Sequence, residues 1–274
     1  MDDIANQATL LREQYHDASN LLARMDLLAR FGTKGCSTFR WRFNHLSLSP
    51  RARVLELGCG TGAFWQQNLD RIPSGWDVIV SDFSPDMLQA AQRALDTSSF
   101  PFEFAVIDAQ SIPYPDESFD AVLAYHMLYH VPDRQPALAE IRRVLRPGGS
   151  FYASTVGESH MRELIDVIYG PGTRTFGEQC GFNCEHGAEQ LAQAFSNVEC
   201  YPEEGELRIT EVQPLVAYAL SSGSDSPLTD DQKLVQFVGW AERTIREQGF
   251  VHVTTSNCLF EAHVVPRSPV TARA

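Results

Sequence analysis

Between Arg53 and about Thr155 the chain alternates short apolar runs with stretches of helical period. Most of the runs RVLEL, WDVIVSD, FEFAVID, FDAVLAYH and SFYAST are apolar nearly throughout, as parallel strands covered on both faces are. Helical stretches lie between them at 62–72, 84–95 and 133–146. Ser84 followed by Pro85 makes an N-cap and first-turn pair, Asp133 can cap the third helix, and RPGG at 146–149 stops it. Alternating β and α units of this length predict an α/β fold with a doubly wound parallel sheet.

The flanks read differently. Ahead of the sheet, SNLLARMDLLARF places Leu21, Met25 and Leu28 on one helical face; such a helix either packs on the sheet domain or covers its substrate. After the fifth strand, helices are expected near 158–169 and 185–195, with a short strand near 197–201. Thr229 is expected to open a further helix with Gln232 at its capping-box position, and Gly249 to close it. The alternating run FVHVTTSNCLFEAHVV suits a late strand or hairpin. The helices exceed what a minimal sheet needs, so a cap grown from the C-terminal half is expected. The resulting division is an N-terminal helical lid over 1–48, a cofactor-binding core over 49–156, a substrate-facing helical insertion with late sheet elements over 157–248, and a final strand or hairpin and tail over 249–274.

The stretch VLELGCGTG, residues 54–62, joins the first strand to the first helix. Glycines there let a ligand approach the backbone and aim a helix N-terminus at it. Gly58, Gly60 and Gly62 read G-x-G-x-G, one position away from the dinucleotide fingerprint, and no G-K-[ST] follows to make a P-loop. Asp82 ends the second strand, where a carboxylate can accept hydrogen bonds from both ribose hydroxyls. Asp108 ends the third strand beside the same crevice and can pair with an adenine amino group. Either acid alone could be a turn residue. Together with the loop they describe a pocket for a nucleoside carrying a short charged tail and no pyrophosphate.

Charge narrows the partner. With 22 Lys and Arg against 35 Asp and Glu, the net charge of −13 repels a polyanion, so nucleic acid is not expected. The start, MDDIANQATLLREQY, lacks a basic region followed by an apolar one, and no segment reaches the apolar length of a bilayer span; a soluble, cytoplasmic protein without a membrane partner is expected. The six cysteines do not imply disulfides in that setting. Cys180, Cys184 and His186 lack the second half of a zinc site and read as thiols flanking a helix start. No metal is expected. The sequence leaves monomer and homodimer equally open.

VLELGCGTG, VSDFSPDML, VIDAQSIPYPDESFDAVLAYHMLYHV and ALAEIRRVLRPGGSFYAST resemble, in order and spacing, the motifs of class I S-adenosylmethionine-dependent methyltransferases, above all the small-molecule branch that includes quinone C-methyltransferases. The resemblance covers residues 50–156 closely. It implies a Rossmann-like, mostly parallel seven-stranded sheet with an N-terminal helical lid and a C-terminal helical cap insertion. It also implies S-adenosylmethionine as cofactor and S-adenosylhomocysteine as product. Carried over by position, Gly58, Gly60 and Gly62 would wall the methionine moiety, with Glu56 supporting the loop and the amino group. Asp82 would bind the ribose, Phe83 and Met87 would pack on the adenine, and Asp108 with the Ala109 backbone would read its edge. Tyr125 would offer its carbonyl to the methionine ammonium. Phe83 and Met87 could instead be core.

Methyl transfer needs an aligned nucleophile in a dry pocket, and a carbon or hydroxyl nucleophile gains from proton removal near neutral pH. YHMLYHVPD sets His126 and His130, with Tyr129 between them, just after the fourth strand, where cofactor and acceptor would meet. They are the catalytic candidates, although a His-x-x-x-His there can also be packing. Pro132 and the missing Glu argue against metal ligands on a helix. Tyr15 and Trp41 could line the acceptor cavity with His130; Trp65 reads as core. The expected function is methyl transfer to a small organic molecule, aromatic or polyketide-like. The alternatives are a nicotinamide-dependent oxidoreductase, or a protein that uses the bound sulfonium for other chemistry or binding only.

Overall fold

The computed structural model describes residues 19–35, 37–222 and 226–265; Tyr15 and Cys36 lie outside them. Seven strands form one sheet in the order β3-β2-β1-β4-β5-β7-β6. Strands β1 (Arg53–Glu56), β2 (Asp77–Asp82), β3 (Glu103–Val106), β4 (Phe119–Tyr125) and β5 (Leu145–Val156) run parallel. The long strand β7 (Val251–His263) lies antiparallel to both β5 and β6 (Ser196–Ile209). The mostly parallel seven-stranded expectation is met, with the reversal confined to the β7 side.

Every second residue of the central strands faces a different apolar layer, because side chains alternate across a sheet. One layer joins Leu55, Ile79, Val122 and Phe151 to Leu138 and Ile141 of α5 (Arg134–Val144). The other joins Val54, Val78, Val80 and Leu123 to three helices. These are α2 (Thr38–Asn44), α3 (Ala63–Gln66) and α4 (Pro85–Leu95). Trp65 is fully buried there, as expected. The caps are local chemistry: the Ser84 and Asp133 side chains accept the N–H groups of Met87 and Gln135.

Several boundaries move. The helix expected over 62–72 is the single turn of α3. RPGG ends α5 but lies inside β5, where the pairing with β4 shifts register between Phe119 and Ala121. The short strand near 197–201 extends to fourteen residues. Its carboxylates, among them Glu199, Glu204 and Glu206, break the apolar signal, as suits a strand at a sheet edge. Helix α10 (Asp231–Gln248) is capped by Asp230, which accepts the N–H groups of Gln232 and Lys233, and Thr229 belongs to the 3-10 turn before it. Gly249 closes the helix at positive φ, as expected.

The insertion between β5 and β6 carries α6 (Arg162–Tyr169), α7 (Phe176–Gln179) and α8 (Gly187–Leu191). Cys184 in this insertion is disulfide-bonded to Cys258 of β7, with Cα atoms 5.7 Å apart. That corrects the reading of Cys184 as a thiol beside Cys180. Helix α9 (Val212–Leu220) packs with α1 (Ser19–Phe31), whose Leu27 and Phe31 join an apolar cluster with Leu215, Phe237 and Val253. The buried face of α1 is thus Leu27 and Phe31; Leu28 is exposed. Among the described residues no helix is long and apolar enough to cross a membrane.

Candidate cofactor and acceptor site

The carboxyl ends of β1, β2 and β4 converge on the glycine loop. Gly58, Gly60 and Gly62 all have positive φ, at 70°, 54° and 75°, a region that L side chains enter only with strain. A Cβ at Gly58 would also stand 2.7 Å from Met127 Cβ. Gly58→Ala is therefore expected to cost about 1–3 kcal/mol of stability, measurable by urea denaturation; an unchanged midpoint would show that the loop has another conformation.

Asp82 holds the loop. Its Oδ2 accepts the Gly60 N–H at 2.8 Å while Oδ1 accepts the Ser84 N–H at 2.8 Å. Burial pushes its pKa up, opposed by these amide donors. Glu56 is buried behind it and accepts the Trp65 indole N–H at 2.7 Å. Desolvation, with Asp82 nearby, raises the Glu56 carboxyl to about 8 in spite of that bond. A buried carboxyl at the back of a glycine cradle is what a ligand ammonium would ionise.

On the β2 and β3 side, Phe83 is 51% exposed and Val106, which pairs with Asp82 in the sheet, 53%. Two large apolar groups left in water beside Asp82 offer a flat ring a surface. Asp108 accepts the Gln110 N–H at 2.8 Å on one oxygen, and Ala109 is buried beside it. Met87 is buried rather than presented, so of the two adenine candidates Phe83 has the accessible ring. Above the loop lies α1. Leu21 Cδ2 stands 3.1 Å from where a Gly60 Cβ would be, and the Thr61 hydroxyl meets the Met25 sulfur at 3.9 Å. The helix both packs on the fold and covers the loop.

The three catalytic candidates do come together. Tyr125 ends β4, and His126 follows it in a left-handed conformation, φ 52°. This is costly for a non-glycine residue and typical of functional turns. The Tyr129 ring lies 6.2 Å from that of His126 and 4.5 Å from that of His130. It also meets Phe176 of α7 at 5.1 Å, edge to face. Burial lowers the His130 pKa to about 4 and pushes that of His126 well below its usual value, so both rings are neutral near pH 7.

His126 is not placed as a base. Its Nε2 lies 2.6 Å from Nη2 of Arg42, and arginine can only donate, so Nε2 is the acceptor and the ring proton sits on Nδ1. Trp41 is partly buried, packed against the core and against His45, with ring centroids 4.3 Å apart; its neighbour Arg42 reaches His126. Arg42, Glu203, Val106 and Phe176 went unrecognised in the sequence. Only the pattern of an arginine inside the apolar helix TFRWRFN could have pointed to one of them.

Residues 55–153 match the methyltransferase domain family. Over 135 residues, 48% of this chain and 60% of the relative, the sequence is 36% identical to a demethylmenaquinone methyltransferase of Thermus thermophilus. Over 111 residues it is 39% identical to the 27-O-demethylrifamycin SV methyltransferase of Amycolatopsis mediterranei, covering 38% of each. The chain thus spans about half the length of the curated relatives it matches. A phosphoethanolamine N-methyltransferase 2 of Haemonchus contortus, solved with phosphomonomethylethanolamine and S-adenosylhomocysteine, superposes on 94% of this chain and 59% of its own at a TM-score of 0.58 and 17% identity. That likeness speaks for the fold.

Proposed function

We propose that the protein transfers a methyl group to a small organic acceptor, and that residues 55–153, which match the methyltransferase domain family, work as a class I S-adenosylmethionine-dependent methyltransferase domain. The observation that carries this is the Asp82 carboxylate bonded to Gly60 N at 2.8 Å, which ties a ribose-type acid to the glycine cradle. The cofactor is S-adenosylmethionine. When bound, it supplies an already electrophilic methyl group, which leaves with its bonding electrons remaining on sulfur to give S-adenosylhomocysteine. Gly58, Gly60 and Gly62 would line the methionine chain, Glu56 its ammonium, Asp82 the ribose, and Phe83 with Asp108 and Ala109 the adenine. Tyr125 would offer its carbonyl to the ammonium. The G-x-G-x-G spacing and the family match both argue against a nicotinamide oxidoreductase.

The chain's part in the reaction is to exclude water and align the acceptor. Helix α1 and the insertion supply the walls, Tyr129 and Phe176 an aromatic side. His130 takes the acceptor's proton. Kept neutral down to about pH 4, it is a weak base and suits an acidic acceptor such as a phenol or enol. His130→Gln is expected to lower kcat by up to about a hundredfold, with the affinity for S-adenosylhomocysteine kept. Full turnover would remove His130 from the mechanism. The test of the function itself is transfer of labelled methyl from S-adenosylmethionine to a panel of small aromatic acceptors. Label appearing in none of them while the cofactor binds would end the reading.

Glu56 gives the site a proton signature. Its folded pKa of about 8 exceeds the unfolded value of 4.5, so its contribution to stability is complete below pH 4.5 and lost as pH rises through 8. A bound ammonium reverses the preference. Binding of S-adenosylhomocysteine at pH 7 should therefore release close to one proton, and affinity should rise by up to about tenfold per unit as pH climbs toward 8. Calorimetry in two buffers of different ionisation enthalpy measures the release. Glu56→Gln should abolish it, and equal release by that variant would exclude Glu56 as the source.

A further inference from the structure

Among the described residues four buried side-chain polar atoms have no hydrogen-bond partner in the protein, and all four lie in one place: Arg42 Nε, Tyr125 Oη, Ser154 Oγ and Glu203 Oε2. Tyr125 and Ser154 are directly paired across β4 and β5, so their side chains share a sheet face. The Arg42 guanidinium stands 5.7 Å from the Tyr125 ring centre and places Nη2 against His126 Nε2 and 3.6 Å from Glu203 Oε2, so that Oε2 is ion-paired with Arg42 yet too far from it for a hydrogen bond. Arg42 and Glu203 are each 3% exposed. An unpartnered buried polar atom costs about 1–3 kcal/mol, and native interiors hold few of them. Four together, from three strands and a helix, mark a place where partners arrive with a ligand.

Resting on the methyl-transfer reading for its location beside the cofactor, the geometry points to this cluster as the acceptor subsite, recognising a neutral aromatic molecule that carries adjacent hydroxyl or carbonyl oxygens. The charge balance selects neutrality. Arg42 is already met by Glu203 and His126 is uncharged, so a carboxylate or phosphate would bring an uncompensated charge into a dry site. The inventory selects mixed oxygens. Arg42 Nε can only donate, Glu203 Oε2 as carboxylate only accepts, and the two hydroxyls do either. A diol or hydroxy-carbonyl edge satisfies such a set, whereas a hydrocarbon satisfies none of it. The aromatic body follows from the ring of Tyr129, 6.2 Å from that of His126, and from Phe176 behind it.

The test titrates 2,3-dihydroxynaphthalene, 2-methylnaphthalene and 2-naphthoate into the full chain, with and without S-adenosylhomocysteine, by calorimetry. The diol is expected to bind roughly five- to a hundredfold more tightly than either control. Ser154→Ala supplies a readout that a structural role would not move. Deleting an unpartnered hydroxyl should raise the Tm of the free protein by roughly 2–4 °C while weakening the diol at least threefold; Glu203→Gln should weaken it too. Equal binding of the three probes, no binding of the diol, or an unchanged diol affinity in Ser154→Ala overturns the inference. Diol binding without any binding of S-adenosylhomocysteine would instead sink the methyl-donor reading and leave this subsite standing.

Discussion

Replacing Asp82 by alanine is expected to weaken binding of S-adenosylhomocysteine by about 1–3 kcal/mol, roughly five- to 150-fold. Two losses combine. The carboxylate no longer accepts from the ribose, and the Gly60 and Ser84 amides, each 2.8 Å from it, lose the acceptor that fixes the loop. The loop keeps its backbone bonds, among them Cys59 N–H to the Ser81 carbonyl at 2.9 Å and Leu57 N–H to the Leu123 carbonyl at 2.8 Å, so the variant should fold. Asp82→Asn retains one acceptor oxygen and should fall between the two. Calorimetric dissociation constants decide it, and an unchanged value for Asp82→Ala would remove Asp82 from the cofactor site.

The largest stability effect is expected at Arg42. Its guanidinium lies beneath the surface with the Glu203 carboxylate to balance it, and burial draws its pKa down while Glu203 opposes. Arg42→Met would leave the Glu203 carboxylate buried with no cation, a cost of about 3–5 kcal/mol. The paired change Arg42→Met with Glu203→Leu removes both charges and should recover most of that loss, since ion pairs of this kind are often no better than apolar packing. Urea denaturation of the two variants measures the difference. A double variant as unstable as the single one would show that packing around Arg42, and not the stranded carboxylate, sets the cost.

What could be read ahead of the fold was local. The apolar strands, the caps at Ser84 and Asp133, and the loop of Gly58, Gly60 and Gly62 depend on neighbours a few residues apart, and each stands where it was expected. The carboxyl-end acids followed because a parallel sheet delivers its strand ends to one edge. The proposed acceptor side was not legible for the opposite reason. Arg42 and Glu203 come from a helix before the sheet and from its last-ordered edge strand, and nothing in TFRWRFN or VECYPEEGEL says that they meet. Trp41 drew attention as the larger residue, yet its neighbour carries the contact with His126. Likewise His126 and His130 look equivalent in YHMLYHV, and only the guanidinium against Nε2 separates an oriented ring from a candidate base. The Cys184–Cys258 bond is of the same kind, a pairing across 74 positions.

The central claim is that the glycine cradle with Asp82 and Glu56 holds the methyl donor. Calorimetric titration of the protein with S-adenosylmethionine, S-adenosylhomocysteine and NADH tests it most directly. The account expects both members of the methyl-donor pair to bind at one site, with NADH giving no heat. Binding of NADH in their place, or no binding of either, would contradict it.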